Sequence, residues 1–334
     1  MQTGHRTTIH VYDARQAFGQ SAPLPQGLAT MDQLHGTFAP DAFARAIIST
    51  TERLPNNRFG LRIAMALRRL VIAQLRDDRP FDVVRWGLRM RLHPRANGCE
   101  KMALFTPQMY EAPEFLALSK LIDDRRRAHR PFVFFDLGAN VGLFSFFVAS
   151  RTGPDGKIFA FEPEPQSARR FRFNLASNPG LPIRLSATAV GDGPDDLFLM
   201  IDHRDRGGTR AILARNEIKG RIIRARCQSL LDAIDLDNVK AIDAMKIDVE
   251  GHEPQILLPF FRDAPEHLWP RMLLIEDGSS AWNTDLTSEL KRRGYELTTR
   301  TRLNMIMERH SALPAPAPTS ARARVRARAL AAAE

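Results

Sequence analysis

The sequence predicts an α/β fold, a mostly parallel sheet with helices on both faces, preceded by a helical and β-hairpin extension. Three observations carry this. After Pro131, strand-length apolar runs alternate with helix-length stretches, the rhythm of right-handed crossovers in a parallel sheet. The first run, "FVFFDLGANVGLFS" (Phe132 to Ser145), ends in an acid and a tight glycine turn that opens an apolar helix. Acids then recur at later strand ends, where open parallel sheets place their ligands.

The 334 residues are 44% hydrophobic and 8% aromatic, which suits one large core with appended elements. A net charge of +10 and a pI near 10.2 favour encounter with phosphate, acidic glycan or anionic lipid, but charge speaks to solubility and association rather than to fold. Cys99 and Cys227 stand far apart with no C-x-x-C pair, which argues against a disulfide framework and a zinc cluster and fits a reducing, cytoplasmic setting. No apolar block of signal-peptide length occupies the first thirty residues, and no run is long enough to cross a bilayer, so a soluble, unsecreted protein is expected.

Residues 1–38 are polar and Pro/Gly-punctuated, and read as a mobile N-terminal tail. Residues 39–80 read as a helical extension: Ile63, Leu67, Leu70 and Leu75 recur at helical spacing, with Arg62, Arg69 and Arg76 elsewhere on the wheel. Such a basic amphipathic helix can lie on a membrane, but packing on its own domain is the plainer reading. Residues 81–130 read as a covering element. Trp86, Leu88, Met90 and Leu92 alternate with Gly87, Arg89, Arg91 and His93, as in a half-buried strand; Asn97-Gly98 signals a hairpin turn and "CEKMALF" its returning strand. "APEFLALSKLIDDRRR" follows as a helix with Pro113 and Glu114 at its start.

The main domain, 131–310, is predicted to have strands at 132–136, 157–162, 183–190, 243–249 and 272–276. Helices are expected near 141–151, 165–178, 254–262 and 284–293, and a final hairpin near 294–308. Residues 311–334 combine Pro-Ala repeats with alternating arginines and read as a disordered tail whose four arginines could touch anionic surfaces.

The strand ends carry the chemistry. Asp136 closes the first, and Gly138 and Gly142 allow close backbone approach by a ligand and tight packing of helix on sheet. Glu162, 26 positions on, stands where an acid accepts hydrogen bonds from ribose hydroxyls; this spacing admits a dinucleotide or S-adenosylmethionine. The loop is G-A-N-V-G, however, and lacks the fuller glycine set of pyrophosphate binding, while an acid beside it suits a cationic amino-acid moiety. Asp192, in a Gly-rich turn after the third strand, could meet an adenine amino group. In "DAMKIDVEGHEPQIL" alternation sets Lys246, Asp248 and Glu250 on one side of a central strand, a costly arrangement unless the charges are paired or used. His252 and Glu253 open the next helix, and Glu276 and Asp277 end the fifth strand beside the same crevice.

Taken in order, "FFDLGANVGLFS", "FAFEPEP", "ATAVGD" and "MKIDVEGHEPQIL" resemble the FkbM family of S-adenosylmethionine-dependent methyltransferases, from about Phe81 to His310. The resemblance implies a class I methyltransferase (Rossmann-like) catalytic domain over 131–310, with a seven-stranded sheet whose last strand is antiparallel. It also implies S-adenosyl-L-methionine as cofactor, with Asp136, Gly138, Asn140 and Gly142 around its methionine part, Glu162 at its ribose and Asp192 at its adenine. Tyr110 and Glu111, in "MYEAPEF", look like part of the family's cofactor-covering region. The implied activity is O-methylation of a hydroxyl on a sugar, glycan or related metabolite.

An alcohol needs a base as its proton leaves, and His252 and Asp248 are the candidates, with Lys246, Glu250, Glu253 and Asp277 in support. Asp248, Glu250 and Asp277 could instead gather Mg²⁺, but no metal is expected. An NAD(P)-dependent oxidoreductase is disfavoured by the missing glycine and the absence of a Tyr-x-x-x-Lys pair. A nucleic-acid methyltransferase or nucleic-acid-binding protein, suggested by charge, lacks an Asn-Pro-Pro-aromatic motif and basic residues interleaved with aromatics, so no specific nucleic-acid partner is expected.

Overall fold

A computed structural model describes residues 11–13, 31–95, 97–193, 197–201, 210–211, 221–236, 239–280 and 282–309. Its centre is a seven-stranded sheet. Strands β4 (Phe132–Leu137), β5 (Gly156–Phe161), β6 (Ile183–Ser186), β12 (Ala244–Ile247) and β13 (Met272–Glu276) run parallel, and β14 (Tyr295–Arg300) and β15 (Asn304–Arg309) close one edge as an antiparallel hairpin. The spatial order is β14-β15-β13-β12-β4-β5-β6, so the last strand in sequence is inserted antiparallel beside β13.

The sheet separates two apolar cores. Phe132, Phe134, Ile158, Leu274 and Ile306 point to one side, where they meet the helices α5 (Leu143–Thr152), α4 (Ala112–Arg127) and α3 (Gly98–Phe105). Phe135, Leu137, Met245, Ile247, Leu273 and Ile275 point to the other, against α7 (Leu230–Leu236), α8 (Glu253–Asp263) and α9 (Leu286–Arg292). The alternation of Phe134 and Phe135 between the cores is the period of two that a doubly covered strand requires.

The elements before this sheet depart from the sequence expectation. The hairpin is made by β2 (Phe81–Arg85) and β3 (Leu88–Leu92) across Trp86-Gly87, both in positive φ (51° and 79°), the geometry of a two-residue primed turn. Trp86 holds that strained position with its ring edge-on to Phe115 and Phe147. Asn97-Gly98 is no hairpin turn: the Asn97 side chain accepts a hydrogen bond from the Glu100 N–H at 3.1 Å and caps α3, so "CEKMALF" is helical rather than a returning strand. The helical pair is α1 (Ala42–Glu52) and α2 (Arg58–Gln74); of the apolar residues expected on the packed face of α2, Leu70 is exposed, and Ala64 and Val71 are buried instead.

Of the first 38 residues, 11–13 and 31–38 are described, and both stretches make contacts with the rest of the fold. Strand β1 (Val11–Asp13) pairs with β10 (Arg221–Ala225), and Asp82 accepts the N–H groups of Gly36 and Phe38 at 2.7 and 2.9 Å. Arg91, fully buried, pairs with Asp82 at 2.7 Å and donates to the carbonyls of Gln33 and Leu34. The extension is fastened to the main domain by Arg170 of α6 (Pro165–Ala176), which reaches Asp78 at 2.5 Å and Glu100 at 2.7 Å.

The strand expected over 183–190 breaks after Ser186. β7 (Ala189–Gly191) leaves the main sheet to pair with β11 (Cys227–Ser229), and β10 joins β8 (Leu197–Ile201) and β9 (Arg210–Ala211) in a small sheet that sequence reading did not anticipate. Among the described residues no helix is long and apolar enough to cross a membrane. The tail at 311–334 lies outside the described residues.

Candidate active site

β4 and β12 are neighbours, with β5 on one flank and β13 on the other, so crossovers leave this point in opposite directions and a cleft of about 1000 Å³ opens at the strand ends. Its border includes Gly138 and Asn140 after β4, Glu162 after β5, Asp248, Glu250 and His252 after β12, and Glu276 at the end of β13. Tyr110 and Glu111 reach it from the turn before α4, and Asp192, exposed, from the turn after β7.

Gly138 has φ +76°, and a Cβ there would lie 1.9 Å from the Asp248 carbonyl oxygen; the loop after β4 therefore passes against the end of β12 with no room for a side chain. Asn140 also adopts positive φ, 51°, with its carbonyl Oδ1 receiving a hydrogen bond from Asn97 Nδ2 at 3.0 Å. Glu162 is nearly buried. Its Oε2 accepts the Asn140 N–H and its Oε1 the Glu164 N–H, both at 2.7 Å, which ties the two strand-end loops together and leaves a lone pair on each oxygen for a ligand. Burial pushes this carboxyl up to about 8, against the pull of the Glu164 and Asn140 N–H groups.

Lys246 is buried between carboxylates. Its Nζ lies 2.5 Å from Asp248 Oδ2 and 4.8 Å from the Phe144 ring centre, and its strand register sets it beside Asp136. Burial works to lower its pKa, but Asp248 and Asp136 together hold it above the usual lysine range. Burial pushes Glu111 up to about 7, helped by Glu114; both carboxylates accept from Asn304 Nδ2. Burial, Asp248, Glu250 and Glu253 push Glu276 up to about 9. His252 differs from all of these: both ring nitrogens are buried, and among the described residues neither has a hydrogen-bond partner.

Several expected site residues serve the scaffold. Gly142 does not border the cleft; it starts α5 at φ +87°, where a Cβ would meet the Phe171 ring at 2.6 Å. Asp136 accepts from Ser145 N and Oγ at 3.1 and 2.6 Å and borders only a recess of about 30 Å³ behind Asn140 and Lys246. Glu253 is buried, accepting from the N–H groups of Val249 and Gly251 and from Trp282 Nε1, so it shapes the turn that presents Glu250 and His252. Asp277 turns away to pair with Arg300 at 2.9 Å, and Glu276 takes its place: Asp248, Glu250 and Glu276 bring oxygens within 4.8 Å of one another. Sequence reading missed Leu61, Met65 and Arg68 of α2, Lys101 of α3 and Arg302, which also border the cleft. On α2 the three recur at i, i+4 and i+7, one stripe of a helix that periodicity alone had assigned to packing.

The donor set fits S-adenosylmethionine. Glu162 keeps acceptors for ribose hydroxyls, Gly138 and Asn140 border the cleft, and Glu111 and Asp248 offer carboxyl oxygens to a cationic amino-acid group. Fold and site together define a class I S-adenosylmethionine-dependent methyltransferase. Residues 136–297, just under half of the chain, match the family model described as the Methyltransferase FkbM domain.

A curated relative, the AMB antimetabolite synthetase AmbE of Pseudomonas aeruginosa, is 27% identical in a 207-residue alignment that covers 50% of this chain. The chain spans about 10% of that relative's length. Among solved structures, the METTL16 MTase domain is 14% identical over 82% of this chain and 93% of its own, with a TM-score of 0.43. The precorrin-6y C5,15-methyltransferase of Geobacter metallireducens is 15% identical over 59% of this chain and 87% of its own, with a TM-score of 0.35.

Proposed function

We propose that this chain transfers a methyl group to a hydroxyl of a sugar, glycan or related metabolite. The observation that carries the reading is His252, an imidazole bordering the cleft whose two buried nitrogens have no hydrogen-bond partner among the described residues. A buried polar group without a partner costs free energy unless a ligand satisfies it, and an imidazole is suited to taking a proton near neutral pH.

The cofactor supplies an electrophilic methyl group on a sulfonium. Glu162 binds the ribose end, Gly138 and Asn140 border the methionine end, and Tyr110 and Glu111 cover the site. His252 receives the acceptor hydroxyl's proton on a ring nitrogen. Lys246 Nζ holds one oxygen of Asp248 at 2.5 Å and leaves the other to orient the acceptor hydroxyl.

The test is transfer from labelled donor to a panel of sugars, glycans and short RNA by wild type, His252→Ala and His252→Gln. Hydroxyl methylation is expected, with both variants reduced roughly 10²- to 10⁴-fold in kcat and S-adenosylhomocysteine affinity kept within about twofold. Transfer to RNA alone, or variants as fast as wild type, would overturn the proposal.

A further inference from the structure

We infer that the acceptor carries an acidic group, a phosphate or a carboxylate, which is read by Arg68, Lys101 and Arg302 on the wall that the N-terminal extension and the β14–β15 loop add to the cleft. This rests on the methyltransferase reading above and adds the class of acceptor to it.

Arg68 borders the cleft half-buried, yet its one hydrogen bond among the described residues runs from Nη1 to the thioether of Met102 at 3.3 Å, a weak acceptor. Four donors of that planar fork remain for a ligand. Each arginine that the described structure buries fully has a carboxylate: Arg85 has Glu52, Arg91 has Asp82, Arg125 has Asp243, and Arg170 has Asp78 and Glu100. Arg68 has none, and burial together with Arg69 lowers its pKa, so its surroundings oppose the charge instead of balancing it. An anion in the cleft would supply the missing balance.

Lys101, one turn of α3 beyond Gly98, and Arg302 border the same cleft, and among the described residues neither has an acidic partner. The acids bordering the cleft belong to other elements: Glu162, Asp248, Glu250 and Glu276 at the strand ends, Asp192 after β7, and Glu111 before α4. The cleft is thus bordered by acids that suit a cationic cofactor and by unpaired bases that suit an anionic acceptor. Met65, Met102 and Leu61 lie among the bases and give the acceptor's carbon skeleton an apolar, adaptable seat.

Direct binding to the S-adenosylhomocysteine-loaded protein at low salt, followed by calorimetry, tests the inference with glucose 1-phosphate, glucuronate, glucose and a short RNA as probes. The phosphate or the carboxylate sugar is expected to bind at least tenfold more tightly than glucose; the stronger of the two names the acid. Arg68→Gln is expected to weaken that probe about tenfold, Arg68→Lys less, and the triple change Arg68→Gln, Lys101→Gln, Arg302→Gln to abolish the preference. Equal binding of glucose and the anionic sugars, no binding of either anion, or anion binding untouched by the triple change would overturn it. So would RNA binding more tightly than both sugars through the same three residues. S-adenosylhomocysteine affinity is read in the same titrations: its loss in wild type would remove the methyltransferase reading itself, whereas its retention without an anion preference removes only this one.

Discussion

Gly138→Ala isolates what the cofactor loop demands of the backbone. At φ +76° a side chain costs about 1–2 kcal/mol from the dihedral alone. The added Cβ would also stand 1.9 Å from the Asp248 carbonyl oxygen, where ordinary contact begins near 3.4 Å, so the β4 loop and the end of β12 must separate by about 1.5 Å. Overpacking of that kind costs about 1–3 kcal/mol, for a total of about 2–5 kcal/mol. For a domain of this size that lowers Tm by about 4–20 °C. Separation moves Gly138 and Asn140 away from Asp248 on the opposite border of the cleft, so affinity for S-adenosylhomocysteine should fall by more than about tenfold. Gly87→Ala is the control: φ is +79°, but a Cβ there meets nothing within 4 Å, so only the dihedral cost should appear and cofactor affinity should stay unchanged. Thermal unfolding and calorimetric titration of both variants decide the matter. A Gly138→Ala protein that matches Gly87→Ala in both measurements would refute the reasoning.

Two further outcomes are expected. Glu162 has an ordinary value of 4.5 and sits at about 8 in the fold, so between those limits the folded chain holds a proton that the unfolded chain has lost, and without cofactor this group lowers stability as pH rises. Ribose hydroxyls favour the ionised carboxylate, so S-adenosylhomocysteine affinity should climb by up to about tenfold per pH unit from pH 6 to 8 and then level; a flat profile in wild type, or the same slope in Glu162→Gln, contradicts this. Arg170→Met removes the guanidinium that pairs with the buried Glu100 and the partly buried Asp78, and should cost about 3–5 kcal/mol in urea unfolding, with part recovered on adding Glu100→Gln. A cost below about 1 kcal/mol would show that the extension is held by its apolar contacts alone.

Much of the sheet was legible because each strand of the main domain carries its own local signal: an apolar run, then a turn, then a helix. Asn97-Gly98 misled because the same pair serves two purposes. It makes a tight hairpin when strands flank it, and it caps a helix when the following backbone N–H groups need an acceptor, as Glu100 N–H does here. The actual turn, Trp86-Gly87, was hidden because tryptophan rarely takes positive φ; Phe115 and Phe147, distant in sequence, stabilise it there. Glu276 and Asp277 are equal as letters, and only the pairing of Arg300 with Asp277 shows which of them faces the cleft.

The sequence by itself determined the strands of the central sheet, the acids at the strand ends and the loop that suits a sulfonium cofactor, since these depend on neighbours within a few residues. Tertiary structure alone decided what each polar residue does with its charge. Glu162 spends one lone pair of each oxygen on two loops, Glu253 shapes a turn, Asp136 holds Ser145, and His252 has no hydrogen-bond partner among the described residues. It also turned one stripe of α2 and part of α3 into a cleft wall, because Leu61, Met65, Arg68 and Lys101 meet the strand ends only once the extension has folded over them. Burial and partnership depend on groups that lie far apart along the chain, so spacing along the chain does not reveal them.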